Sequence, residues 1–158
     1  MPDGGRLTGS VLALVQAALL PALLWPKGGS DESAFIPADW GAGVALVLLY
    51  AAVMLGVLAL WARHWRLVPL APEAAEADPS WMRGPYRFVR HPMRLAVLAG
   101  ALGWCLVYRA PANFAILAVL VATALFDACR ADAVLAARGG PVVRAWLQRV
   151  RAFAPGLY

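Results

Sequence analysis

The sequence predicts an all-α integral membrane protein. It should have four transmembrane helices, the third and fourth forming a tight hairpin, followed by a C-terminal amphipathic interfacial helix. Three observations lead there. Hydrophobic residues make up 62% of the 158, above the roughly one half usual in soluble domains. They gather into four runs, 8–25, 40–62, 95–108 and 114–126. The arginines lie around these runs and not inside them. The length suits one domain: two N-terminal spans and a loop in 1–80, then a charged motif, a helical hairpin and a tail in 81–158.

The first run has Arg6 before it, as a signal peptide would. Trp25-Pro26-Lys27 follows it where a cleavage site would need small residues, so an uncleaved span is expected. The second run, like the first, reaches the roughly 20 residues that cross a hydrocarbon core. The third and fourth runs are shorter and are joined by "RAPAN". They span only if their helices continue into the flanking residues, as a hairpin partly buried against the other helices. A re-entrant hairpin is the alternative.

Orientation follows from charge. Lys27 is outweighed by Asp31, Glu32 and Asp39 in the first loop. Residues 63–94 hold six arginines against Glu73, Glu76 and Asp78, and the tail holds Arg130, Arg138, Arg144, Arg149 and Arg151 against Asp127 and Asp132. The positive-inside rule puts both termini and the long loop in the cytoplasm, in an inner or plasma membrane. Trp25, Trp40, Trp61 and Trp65 mark span ends, as interfacial aromatics do. A net charge of +5 and a pI near 9.9 would suggest nucleic acid in a soluble protein. Arginines that flank apolar runs point to the bilayer instead, and no nucleic-acid partner is expected. Cys105 and Cys129 lack metal-ligand spacing and read as reduced packing residues. "APEAAEADPS" is linker-like.

The stretch "GPYRFVRHPMR", residues 84–94, concentrates charge directly before the third run. Arg83, Arg87, Arg90 and Arg94 have helical spacing, but Pro85 interrupts one continuous helix, and Pro92 keeps His91 out of the α region. Pro92 is the natural first residue of the third helix, where its missing N–H costs nothing. The helix start favours an anion. Arg90 and His91 stand beside it, and Gly84-Pro85-Tyr86 turns the preceding chain. That forms a pocket for a carboxylate or phosphate with an aromatic close by. Taken singly, Arg83, Arg87 and Arg94 read as membrane anchors. The Arg-His-Pro unit does not, because anchoring calls for no histidine-proline helix start.

In the tail, Gly139-Gly140 ends one helix and Pro141 starts another. Val142, Val143, Trp146, Leu147, Val150 and Phe153 form one apolar stripe, so 141–153 reads as a basic amphipathic helix on the inner leaflet. Asp127 and Asp132, where the fourth helix leaves the membrane, are either ion-pair partners for Arg130 or ligand contacts.

"GPYRFVRHPM" resembles the signature of the isoprenylcysteine carboxyl methyltransferase family, which is grouped with phospholipid N-methyltransferases and thiol S-methyltransferases. These are small integral membrane enzymes that use S-adenosyl-L-methionine. The likeness covers 81–155, while the first 80 residues match in hydropathy only. It implies that Tyr86 and His91 contact the cofactor, that Gly84 shapes the turn, and that Pro79, Ser80 and Trp81 line the cofactor. Asp132 takes the second place of a Glu-Glu pair whose first place is Ala131. Arg90 becomes the candidate catalytic residue, holding the cofactor carboxylate together with His91. Arg94 stands where the signature has tyrosine, Gly139 where it has phenylalanine, and Val143 and Trp146 where it has two tyrosines. Val150, Phe153 and Pro155 keep its ending.

The resemblance implies methyl transfer at the cytoplasmic membrane face to a lipid-like, thiol or carboxylate acceptor, with no metal. Two other classes stay open from the sequence. One is a nicotinamide-dependent membrane reductase of related architecture, against which the short length argues. The other is a non-catalytic membrane protein that retains the fold.

Overall fold

The structure, a computed structural model, describes residues 3–24, 38–64 and 82–153. Those residues form five α-helices: α1 (Asp3–Leu24), α2 (Ala38–Ala62), α3 (Pro92–Tyr108), α4 (Pro111–Arg138) and α5 (Pro141–Arg149). A short 3-10 turn, Gly84–Arg87, precedes α3. Among the described residues there is no strand, only one isolated parallel bridge, Val89 with Arg151.

Three of the helices begin on proline. The first position of a helix needs no N–H donor, and proline's fixed φ is already helical. Pro92 and Pro141 start helices as expected. Pro111 does so too, which shortens the expected "RAPAN" link to Arg109 and Ala110. The fourth helix is correspondingly longer than its apolar run. It has 28 residues, about 42 Å at 1.5 Å per residue. Its extension through 127–138 is rich in alanine, the strongest helix former.

Among the described residues, Gly41–Ala62 and Pro111–Arg138 are long and apolar enough to cross a membrane, whereas Leu14–Leu24 and Pro92–Tyr108 are shorter. Only 11% of the apolar window in α2 is buried within the protein. The sorting of its residues explains why. Ala45, Ala52 and Ala59, seven apart, are buried, while Leu46, Val47, Tyr50, Val53 and Trp61 are exposed. Small residues packed inward and large apolar ones turned outward is the arrangement of a helix in lipid.

The described residues divide into two compact units. In the first, made from Met1–Ala52 and Leu98–Asp127, Leu23, Ala101, Cys105, Leu117 and Leu120 form the core. Trp104 Nε1 donates to the Leu23 carbonyl at 3.1 Å, one of the last four carbonyls of α1 that its own helix leaves without partners. Glycines let α2 and α3 approach closely here. A Cβ at Gly103 would stand 3.0 Å from Leu49 Cγ and 3.1 Å from the Ala45 carbonyl.

The second unit joins Val53–Val97 to Ala128–Tyr158. Its described core is Ala59, Ala62, Tyr86, Trp146 and Val150, with Met82, Met93 and Leu147 packed against it. Here α5 differs from its expected extent. The helix ends at Arg149, and Val150 is extended, with φ −100° and ψ 136°. The cause is pairing, because the backbone of 150–152 is used to bond the segment 89–91.

Candidate functional site

Gly84 adopts φ +57°, a conformation that costs any residue with a Cβ about 1–2 kcal/mol. A Cβ there would lie at ordinary contact distance, 3.6 Å from Ala62 Cβ. The glycine is therefore required by backbone conformation and not by crowding. The turn it opens buries Tyr86. Trp146 Nε1 donates to the Tyr86 carbonyl at 3.0 Å, and the Arg63 side chain hydrogen-bonds the Tyr86 hydroxyl. Burial pushes the Tyr86 hydroxyl above its ordinary pKa, and the nearby Arg63 and Arg94 guanidiniums offset only part of that.

Beyond the turn the chain extends and pairs with the tail. Arg90 N donates to the Arg151 carbonyl at 2.8 Å, and His91 N donates to the Ala152 carbonyl at 3.2 Å. Arg90 Nε donates to the Val150 carbonyl at 2.6 Å. Its Nη1 reaches Asp132 Oδ2 at 2.5 Å. His91 Nε2 lies 3.0 Å from the other carboxylate oxygen, Oδ1. Arg94 Nη1 lies 2.8 Å from His91 Nδ1, and the Phe153 ring packs against the imidazole with centroids 5.7 Å apart. The result is a chain of contacts, Arg94–His91–Asp132–Arg90, assembled from α3, α4 and the extended segment before α3. The side chains of Arg90, His91 and Asp132 are only 16%, 10% and 11% exposed, so these interactions are partly shielded from water.

Of the residues singled out from sequence, Arg90, His91 and Asp132 meet in this cluster. Gly84 and Tyr86 form the turn that leads into it. Pro79, Ser80, Trp81 and Pro155 lie outside the described residues. Asp132 pairs with Arg90 and His91 and not with Arg130, whose Nη1 is buried with no hydrogen-bond partner among the described residues. Arg83 and Arg87 are exposed. Arg94 is more than an anchor, because it reaches back to His91. The sequence carries a signal for this. His91 precedes the first helical residue and Arg94 is the third, the spacing at which side chains meet across a helix start. Sequence reasoning passed over Arg63 beside the Tyr86 hydroxyl and the Val150 carbonyl as an acceptor for Arg90. Main-chain acceptors leave no mark in a sequence.

The cluster offers a carboxylate with both oxygens oriented and a guanidinium with N–H groups in a planar fork. This donor set suits a ligand with both an amine or hydroxyl and a carboxylate. A cavity of about 170 Å³ opens beside the same turn, lined by Trp61, Ala62, His64, Arg83 and Gly84.

No curated protein and no solved structure matches the chain. The family model described as phospholipid methyltransferase matches residues 43–131, more than half of the 158. The match includes the whole of the 84–94 motif and stops one residue before Asp132. With its lipid-facing α2, its second long apolar helix and the Arg-His-Pro helix start inside the matched region, the chain belongs to the phospholipid methyltransferase family of membrane methyltransferases.

Proposed function

We propose that the protein transfers a methyl group from S-adenosyl-L-methionine to a lipid-like, thiol or carboxylate acceptor at the cytoplasmic face of an inner or plasma membrane. On this reading 1–158 is one methyltransferase domain with four spans, both termini are cytoplasmic, and α5 lies in the interface over the site. The observation that carries the reading is the Arg90–His91–Asp132 cluster, which the family's signature residues build at a helix start.

The residues present fit such a cofactor. The Asp132 carboxylate suits its amine or a ribose hydroxyl, and the Arg90 guanidinium suits its carboxylate. Tyr86, buried in the core of its unit, would support the site from behind, and Trp81, outside the described residues, would be the aromatic for adenine or for a cation. When bound, S-adenosyl-L-methionine supplies an electrophilic methyl group on a positively charged sulfur. The protein's part is to hold that methyl and the acceptor in line, because positioning supplies much of the rate in a displacement. His91 and Arg90 fix the carboxylate of Asp132. The exposed apolar face of α2 keeps the site at the bilayer, where a lipid-like acceptor is already concentrated.

Calorimetry with S-adenosyl-L-methionine or its demethylated product tests the reading. A charge-assisted hydrogen bond is worth about 1.5–3 kcal/mol, so His91→Ala should weaken binding roughly ten- to a hundredfold. Arg87→Ala, at an exposed position outside the cluster, should change it far less. Equal affinities in the two variants would reduce the charge to a membrane anchor. Incubating the purified protein with lipid and small-molecule extracts and labelled cofactor then identifies which acceptor gains the methyl.

A further inference from the structure

The two ring nitrogens of His91 face partners of fixed and opposite polarity. Arg94 Nη1 is 2.8 Å from Nδ1. A guanidinium carries N–H donors only and accepts nothing, so Nδ1 must present its lone pair. The ring proton is then on Nε2, which faces Asp132 Oδ1 at 3.0 Å. Asp132 Oδ2 is held by Arg90. Each contact in the series sets the polarity of the next.

Arg94 is this chain's own departure from the signature, which has tyrosine at that place. A tyrosine hydroxyl both donates and accepts, and would leave the imidazole free to adopt either tautomer. A guanidinium does not. We infer that Arg94 is a positioning residue: it holds His91 with a bare Nδ1 and a protonated Nε2, and through that ring it orients the Asp132 carboxylate. The groups in contact with the imidazole are Arg94 from α3, Asp132 from α4 and the Phe153 ring from the tail, while Arg90 from the preceding segment holds the other oxygen of Asp132. Phe153 packs against the ring, tilted by 43°, without offering a competing donor or acceptor. The chain thus supplies a rigid imidazole–carboxylate pair although Ala131 leaves it one carboxylate short of the signature. The link from Asp132 orientation to cofactor affinity rests on the reading of Asp132 as a cofactor contact; the assignment of the tautomer does not.

The chain has two histidines, which makes the test direct. In a His64→Asn background, ring-nitrogen NMR of the protein in bilayer nanodiscs, without cofactor, reads His91 alone. His64 has φ 51°, and asparagine tolerates that region. The expected parent signature is an unprotonated Nδ1 and a protonated Nε2. Arg94→Lys, again donor-only, should keep it. Arg94→Glu reverses the polarity and should place a proton on Nδ1; glutamate in the first turn of a helix is itself favourable, so the helix start survives. A protonated Nδ1 in the parent overturns the inference, and this requires no variant to fold. An unprotonated Nδ1 in Arg94→Glu also overturns it. In parallel, affinity for the demethylated cofactor should fall roughly tenfold in Arg94→Glu, the worth of about one hydrogen bond, and recover in Arg94→Lys. A tautomer that changes while affinity holds, with Asp132→Asn losing affinity, overturns the positioning role. Affinity that survives both substitutions overturns the cofactor reading of Asp132 and leaves the tautomer assignment supported by the NMR result.

Discussion

The indole of Trp146, on α5, donates its N–H to the main-chain carbonyl of Tyr86 across 3.0 Å. One bond thus ties the tail helix to the turn that opens the signature motif, 60 residues earlier in the chain. Both residues are buried, Tyr86 at 6% and Trp146 at 8% exposure. Trp146→Phe keeps most of the ring but removes this donor to the Tyr86 carbonyl. The expected loss is about 1–3 kcal/mol, read as a lowered denaturation midpoint in detergent. Trp61→Phe, at a ring 66% exposed, should stay within about 0.5 kcal/mol. If both behave alike, the Trp146 bond contributes nothing to stability.

Asp132 is the single carboxylate shared by Arg90 and His91. Asp132→Asn preserves shape and removes the charge, leaving the Arg90 guanidinium partly buried without its counter-ion. Breaking a fully buried pair costs about 3–5 kcal/mol. With side chains 11–16% exposed, a smaller loss of about 2–3 kcal/mol is expected. Unfolding of the variant against the parent at neutral pH measures it, and a loss under about 0.5 kcal/mol, the range of ordinary surface changes, would mean the pair is solvated and weak.

Two glycines test opposite physics. At Gly139 a Cβ would meet the Leu135 carbonyl at 2.5 Å and Val143 Cγ1 at 2.7 Å, so Gly139→Ala must push α4 and α5 apart at their connection. Overpacking of this kind costs about 1–3 kcal/mol. At Gly84 the space is open and the φ is the obstacle, so Gly84→Ala should cost about 1–2 kcal/mol. Gly84→Asn should recover part of that, since asparagine tolerates the left-handed region. Asparagine at 139 should recover nothing. The same crowding explains why the phenylalanine of the family signature has no place at 139 in this chain.

The proposed topology has a chemical readout. In a background lacking Cys105 and Cys129, single cysteines at Ser30, Ala75 and Leu157 are treated with an impermeant thiol reagent from outside. Labelling at 30 alone agrees with four spans and cytoplasmic termini. Labelling at 75 or 157 and not at 30 rejects it.

Helices announced themselves in the sequence through apolar runs and proline starts, and the Arg-His-Pro unit stood out because its charge and its two prolines have no common anchoring purpose. Asp132 was visible as an acid at a span end, but whether it met Arg130 or the motif was open, since a tertiary contact over 42 residues leaves no local trace. The apolar run 114–126 marks only part of α4, and the helix continues into the flanking residues as a span requires, because hydropathy falls at Asp127 while helix propensity does not. Composition alone makes Arg94 an anchor, and its place three residues beyond His91 is the stronger clue. The apolar stripe of the tail predicts a helix to 153, but the helix ends at Arg149. Its apolar stripe has helical period, but residues 150–152 are taken up by pairing with 89–91, and pairing partners are decided by the fold.

That pairing also fixes when the site comes into being. The motif's extended segment finds its hydrogen-bond acceptors in the carbonyls of residues 150–152. During biosynthesis the signature stretch is therefore made well before its partners exist. The backbone N–H groups of Arg90 and His91 lack these acceptors until residues 150–152 have been made. A chain cut between residues 139 and 149 would keep helices α1 to α4 and lack the carbonyls that complete the site.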